Sequence, residues 1–125
     1  MTLTTNESET LNDVHLRGRV RSEPETRVLA SGDTLVTLRL VIPRAADEQV
    51  PGKKSDWVDL AVWSGALRHR VARWRPDDEV EVRGALRRRF FRSGGTTGTR
   101  LEVEVLSGKV VRRAKAAAGL NTTQS

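Results

Sequence analysis

The chain has 125 residues, 37% hydrophobic and 30% charged, enough for one domain with a single core and too short for two. No apolar run reaches a membrane span, the polar start Thr2–Thr10 does not read as a signal peptide, and the lack of cysteine excludes disulfides and thiolate chemistry. The formal charge of +6 is uneven: residues 1–60 carry net −2 and residues 61–125 net +8, mostly as Arg, which forks onto phosphate and stacks on bases. A polyanionic partner is the expectation, and a soluble Arg-biased surface is the alternative.

Residues 1–10 contain almost no apolar side chains and read as a disordered leader. From Asn12 the chain alternates. Val14, Leu16, Gly18 and Val20 share one face of a strand, and His15, Arg17, Arg19 and Arg21 share a strongly basic one. Gly18 inside it predicts a bulge or tight bend. Ser22–Glu25 breaks the strand, Thr26–Ala30 resumes it briefly, and Ser31-Gly32-Asp33 is a turn. The second strand, Thr34–Ile42, turns Val36, Leu38, Leu40 and Ile42 inward and Leu35, Thr37, Arg39 and Val41 outward. Pro43 ends it, and a polar loop, Arg44–Ser55, follows.

The third strand, Asp56–Trp63, is the most informative. Val58, Leu60 and Val62 make an ordinary core row, whereas the opposite row sets Trp57 and Trp63 around Asp59 and Ala61. A core face does not accept that Asp. The tryptophans therefore form a solvent-facing stacking platform or a minor core under flanking loops, and the strand by itself does not decide between these. Ser64 then caps a short helix with Leu67, Val71 and Trp74 at i, i+4 and i+7, so Trp74 belongs to the core and His69 to a solvated face. Pro76 stops it.

The fourth strand, Glu79–Arg92, points Val80, Val82 and Leu86 inward and Arg83, Arg87, Arg89 and Phe91 outward, with Gly84 at a bend and Phe90 on the inward parity. Ser93–Gly98 is a hairpin loop; it lacks the Gly-Lys-Ser/Thr of a phosphate-binding loop. The fifth strand, Thr99–Leu106, alternates Leu101, Val103 and Val105 against Glu102 and Glu104. Residues 114–125 form a small-residue tail, expected to be disordered.

Five strands with one short helix between the third and fourth describe an all-β Greek-key barrel, the OB-fold, spanning 11–113. A small β-sandwich is the competitor, but it gives no reason for a helix at that point. The pieces Asn12-Asp13-Val14, Gly18-Arg19-Val20, Pro24-Glu25-Thr26-Arg27, Asp56–Trp63 and Glu79–Leu86 resemble, in order and spacing, the bacterial single-stranded DNA-binding proteins. The resemblance implies an OB-fold that assembles, usually as a homotetramer or else a homodimer, and wraps single-stranded DNA in replication, repair and recombination. It implies a cytoplasmic, nucleoid-associated protein. The family's stacking aromatics map onto Trp57, Trp63 and Phe91. A further family aromatic falls where this chain has Arg44-Ala45-Ala46, and no acidic residue follows Glu104, so recruitment of partners through an acidic tip is not expected.

Binding single strands without sequence preference needs cations along the backbone path and flat surfaces for bases. Arg17, Arg19, Arg39, Arg87 and Arg89 are the candidate cations; Trp57, Trp63 and Phe91 are the candidate surfaces. Asp59 reads as positioning an Arg or a nucleobase edge. Two His and no Cys give no ligand or nucleophile spacing, so neither an enzyme, nor a metal, nor a cofactor is expected. The alternatives are an OB-fold protein-interaction module or an RNA-binding accessory protein.

Overall fold

The computed structural model describes residues 9–115. Most of the expected leader (1–8) and most of the expected tail (116–125) therefore lie outside the described residues. The elements are β1 (Val14–Val20), β2 (Glu25–Val28), β3 (Thr34–Pro43), a 3₁₀ turn (Ala46–Glu48), β4 (Ser55–Val62), α1 (Gly65–Val71), β5 (Glu79–Ser93) and β6 (Thr96–Arg112).

Five strands close on themselves. β1 pairs with β5, β5 with β6, β6 with β4, β4 with β3, and β3 returns to β1 through Arg19↔Val41 and Val20↔Leu40. Only the β4–β6 contact is parallel, at Leu60↔Val103 and Ala61↔Glu104. Among the described residues the single α-helix joins the third and fourth strands of this ring, as expected for an OB-fold. β2 differs from the sequence reading. It does not resume β1 but reverses through Leu29–Asp33 and lies antiparallel on β3, from Glu25↔Thr37 to Val28↔Thr34. Its four exposed residues bury nothing, so alternation had no signal to offer there.

The two interior glycines are needed for close approach. A Cβ on Gly18 would meet the Val41 carbonyl oxygen at 2.4 Å, where β1 crosses onto β3. One on Gly84 would meet the Glu104 carbonyl oxygen at 1.9 Å, beside the register slip between β5 and β6. Inside the ring Val20, Leu38, Leu40, Leu60, Val62, Val80, Val82 and Val103 meet, and Leu67, Val71 and Trp74 close the cluster from the helix side. Leu35 is also buried, but outside that cluster and not solvent-facing as its parity predicts. Ser64 takes the N-cap position without its hydroxyl capping; its carbonyl accepts from the Arg68 N–H at 2.6 Å.

Beyond Gly84, β5 has lost β1 as a neighbour, and it runs on with β6 as a two-stranded arm to Ser93. Here inward parity no longer means burial. Leu86, Phe90 and Leu101 are 43%, 76% and 49% exposed, because the ring that would cover them has ended. Among the described residues no helix is long and apolar enough to cross a membrane.

Asp78 ties the end of the ring together. Its carboxylate, fully buried, accepts from the Arg75 N–H at 2.9 Å, the Ala114 N–H at 2.7 Å and the Arg113 guanidinium at 3.0 Å. Burial pushes the carboxyl up, but those three donors outweigh it and hold it below the usual carboxylate range. A lowered folded-state pKa means stability that is present above the unfolded pKa and lost as pH falls through the folded one. Asp78→Ala should thus cost ~1–3 kcal/mol at neutral pH by orphaning two part-buried N–H groups. In urea melts the gap between parent and variant should narrow below about pH 4, near the ordinary Asp value. A gap of constant size at every pH would mean that the carboxylate contributes nothing as an anion.

Candidate nucleic-acid interface

Residues paired across neighbouring strands share a face, and the register gathers the candidate side chains on one. On β3 and β4, Val41 sits opposite Trp57 and Arg39 opposite Asp59. Ala61 meets Glu104 of β6, and across β6 the pairs Glu102↔Arg87, Arg100↔Arg89 and Gly98↔Phe91 carry the same face onto β5 and out along the arm. Trp63 follows β4 directly, on the parity of Trp57, Asp59 and Ala61. Trp57 is 59% exposed and Phe91 44%, while Trp63 is half-buried. Trp57 thus faces solvent, and Trp63 does so in part.

Each aromatic ring carries a guanidinium. Arg39 lies 3.9 Å from the centroid of Trp57, Arg89 lies 4.9 Å from Trp63 and Arg100 lies 5.7 Å from Phe91. Phe91 rests over Gly98, where any Cβ would come within 2.7 Å of the ring, so glycine is what lets the ring lie there. Carboxylates fix three arginines of this face. Arg39 Nε donates to Asp59 Oδ1 at 3.2 Å, Arg89 Nε to Glu102 Oε2 at 2.7 Å, and Arg87 Nε to Glu104 Oε1 at 2.9 Å. Asp59 thus positions an arginine, as its neighbours imply. Glu102, only 3% exposed, is the anchor for Arg89.

The face therefore unites Arg39, Trp57, Trp63, Arg87, Arg89 and Phe91. Arg19 joins at its edge, opposite Val41 and so in the row of Trp57, with no ion-pair partner among the described residues. Arg17 is not part of it. It lies past the β1–β3 ladder, where Glu81 of β5 accepts from it at 3.1 Å and also binds His15. The His15 bond, and then the Arg17 bond, hold the Glu81 carboxyl below its usual range.

Two features escape sequence reasoning. Arg100, on the same parity as Glu102 and Glu104, belongs to the face; that parity was the available signal. With Arg27, Arg39, Asp59 and Glu102 it lines a cleft of about 290 Å³ between the β2 hairpin and the sheet. The carboxylate pairing of Arg39, Arg87 and Arg89 is the second, since alternation shows a charge's side but not its partner. In the loop after β3, Arg44 forks onto Asp56 at 3.0 and 2.9 Å. That holds it in the stretch where a further aromatic would be looked for.

Residues 11–112 match the profile described as the Single-strand binding protein family. A single-stranded DNA-binding protein of Thermosynechococcus vestitus is 31% identical over 77 residues, which cover 62% of this chain and 61% of that protein. The chain thus spans about three fifths of the length of that relative. Among solved structures, a Plasmodium falciparum SSB in complex with ssDNA superposes with a TM-score of 0.64 at 22% identity, covering 86% of this chain and 98% of the other. The Saccharomyces cerevisiae mitochondrial single-stranded DNA-binding protein Rim1 superposes with a TM-score of 0.63 at 17% identity, covering 85% and 100%.

Proposed function

The chain belongs to the single-strand binding protein family, and on that premise we propose that it binds single-stranded DNA largely without sequence preference, in replication, repair or recombination, as a cytoplasmic, nucleoid-associated protein. Family members are non-enzymatic, and the chain is not an enzyme. The observation that carries the reading is the face on which Trp57, Trp63 and Phe91 each lie beneath an arginine. Every base has a π-face, so rings accept any sequence, and guanidiniums beside them can leave their carboxylates for phosphates as the strand arrives. Leu86, Phe90 and Leu101 lie exposed on the other side of the arm, which supports a homo-oligomer, dimer or tetramer, with a second copy covering them. A monomeric mass by sedimentation at working concentration would remove that part.

The test of binding is electrostatic. Affinity for oligo(dT) should fall with salt by about 0.7 log–log units for each phosphate neutralised, so Arg19→Ala with Arg87→Ala should flatten the slope by about 1.4. Fluorescence anisotropy at several salt concentrations measures it. The loss should be alike for oligo(dT) and mixed sequences, since phosphate contacts carry no base information. A salt-independent parent, or an unaltered slope in the double variant, would take these arginines out of the site. Absence of any oligonucleotide binding would put the protein-interaction reading first.

A further inference from the structure

The arginines of the aromatic face are largely neutralised where they stand: Arg39, Arg87 and Arg89 each hold a carboxylate. The helix is different. Between Asp59 and Asp77 the chain has no acidic residue, yet it carries Arg68, Arg70, Arg73 and Arg75 with His69. Arg68 donates to the Trp63 carbonyl at 3.0 Å, which binds the start of the helix to the last aromatic of β4. The side chains of Arg70, Arg73 and Arg75 have no acceptor among the described residues and all three are exposed. His69, Arg70 and Arg73 line one shallow depression on the side away from Leu67, Val71 and Trp74.

Folding alone accounts poorly for that arrangement. A cation in the last helical turn is favoured by the helix dipole, which covers Arg70, but Arg73 and Arg75 lie beyond the end of the helix at Val71, and Arg73 shares a depression with the like charge of Arg70. Uncompensated guanidiniums, on and just after the helix that Arg68 ties to the end of the stacking platform, fit a polyanion that continues past it. Resting on the reading of the aromatic face, we infer that a single strand leaving Trp63 runs on across the outer face of α1 and the turn that follows it, with Arg70, Arg73 and Arg75 taking its phosphates. The helix then supplies much of the salt dependence of binding, and the aromatic face supplies the stacking.

Length of the strand separates the two surfaces. Oligo(dT) of about 5 nucleotides covers little more than one stacking face, whereas about 20 exceeds the usual reach of a single OB ring. Arg70→Ala with Arg73→Ala should bind the short strand as the parent does, with equal Trp quenching. For the long strand it should bind more weakly, with the salt slope flattened by about 1.4. Arg70→Lys with Arg73→Lys should restore the slope, and melting curves should show all three proteins equally folded. An unchanged slope and affinity on the long strand would overturn the inference, as would equal loss on the short one. If only the parent bound poly-glutamate while both bound the long strand alike, the patch would serve an acidic polypeptide, and the inference would likewise fall. A parent that binds no oligo(dT) of either length would bring down the aromatic-face reading itself, an outcome distinguishable from all of these.

Discussion

Trp57→Ala should weaken oligo(dT) binding by ~1–3 kcal/mol, the usual worth of one base stacked on an aromatic side chain. It should leave thermal stability nearly unchanged. The two halves of that expectation come from one geometry. Trp57 sits on the outward row of β4, 59% exposed, and takes no part in the ring's core. The Arg39 guanidinium lies 3.9 Å from its ring centroid and donates to Asp59. An indole with a cation on one side keeps the other for a base, and the Arg–Asp pair holds it in place before the strand arrives. Isothermal titration with paired thermal melts checks both halves. Unchanged affinity with a lowered midpoint would make Trp57 a packing residue. Trp63 should behave less cleanly, since it is half-buried and its carbonyl anchors Arg68.

Trp74→Ala carries the largest expected stability effect, ~3–5 kcal/mol, with little direct effect on binding. Trp74 is 5% exposed and closes the core between α1 and β6. Its ring passes so close to Gly108 that a Cβ there would sit 3.0 Å from the indole. Gly108 has no side chain to refill that space, so truncation of the indole should leave a cavity. Set against a typical net stability of about 5–15 kcal/mol, the variant should be near its unfolding threshold in urea. A variant with the parent's melting curve would mean that the helix does not pack on the ring through this residue.

How far the sequence could be read depended on what lay behind each strand. In β1 alternation maps onto burial, and in β3 and β4 Leu38, Leu40, Leu60 and Val62 fall where period two puts them because that side faces the closed ring, although Leu35 and Ala61, on the other parity, are buried too. The same counting fails at Leu86, Phe90 and Leu101, where the period continues but the ring does not. Nothing in the local pattern marks where β1 stops covering β5. For the candidate site, Trp57, Trp63 and Phe91 could be placed on one face from parity. Asp59 also stood out, as a charge no core would accept, and it holds Arg39. What parity could not show was register between strands far apart in sequence. That register pairs Arg87 with Glu104 and Arg89 with Glu102, adds Arg100 to Phe91, and sends Arg17 to Glu81 instead of the shared face.

The most direct measurement is a titration of intrinsic tryptophan fluorescence with oligo(dT) at low salt, repeated at high salt. Two of the three indoles, Trp57 and Trp63, lie on the proposed platform, and the third, Trp74, is buried in the core. Quenching should be strong but incomplete and should saturate, with a residual signal from Trp74 and a curve shifted to weaker binding as salt rises. Unquenched fluorescence at low salt with oligo(dT) in large excess would contradict the proposed platform.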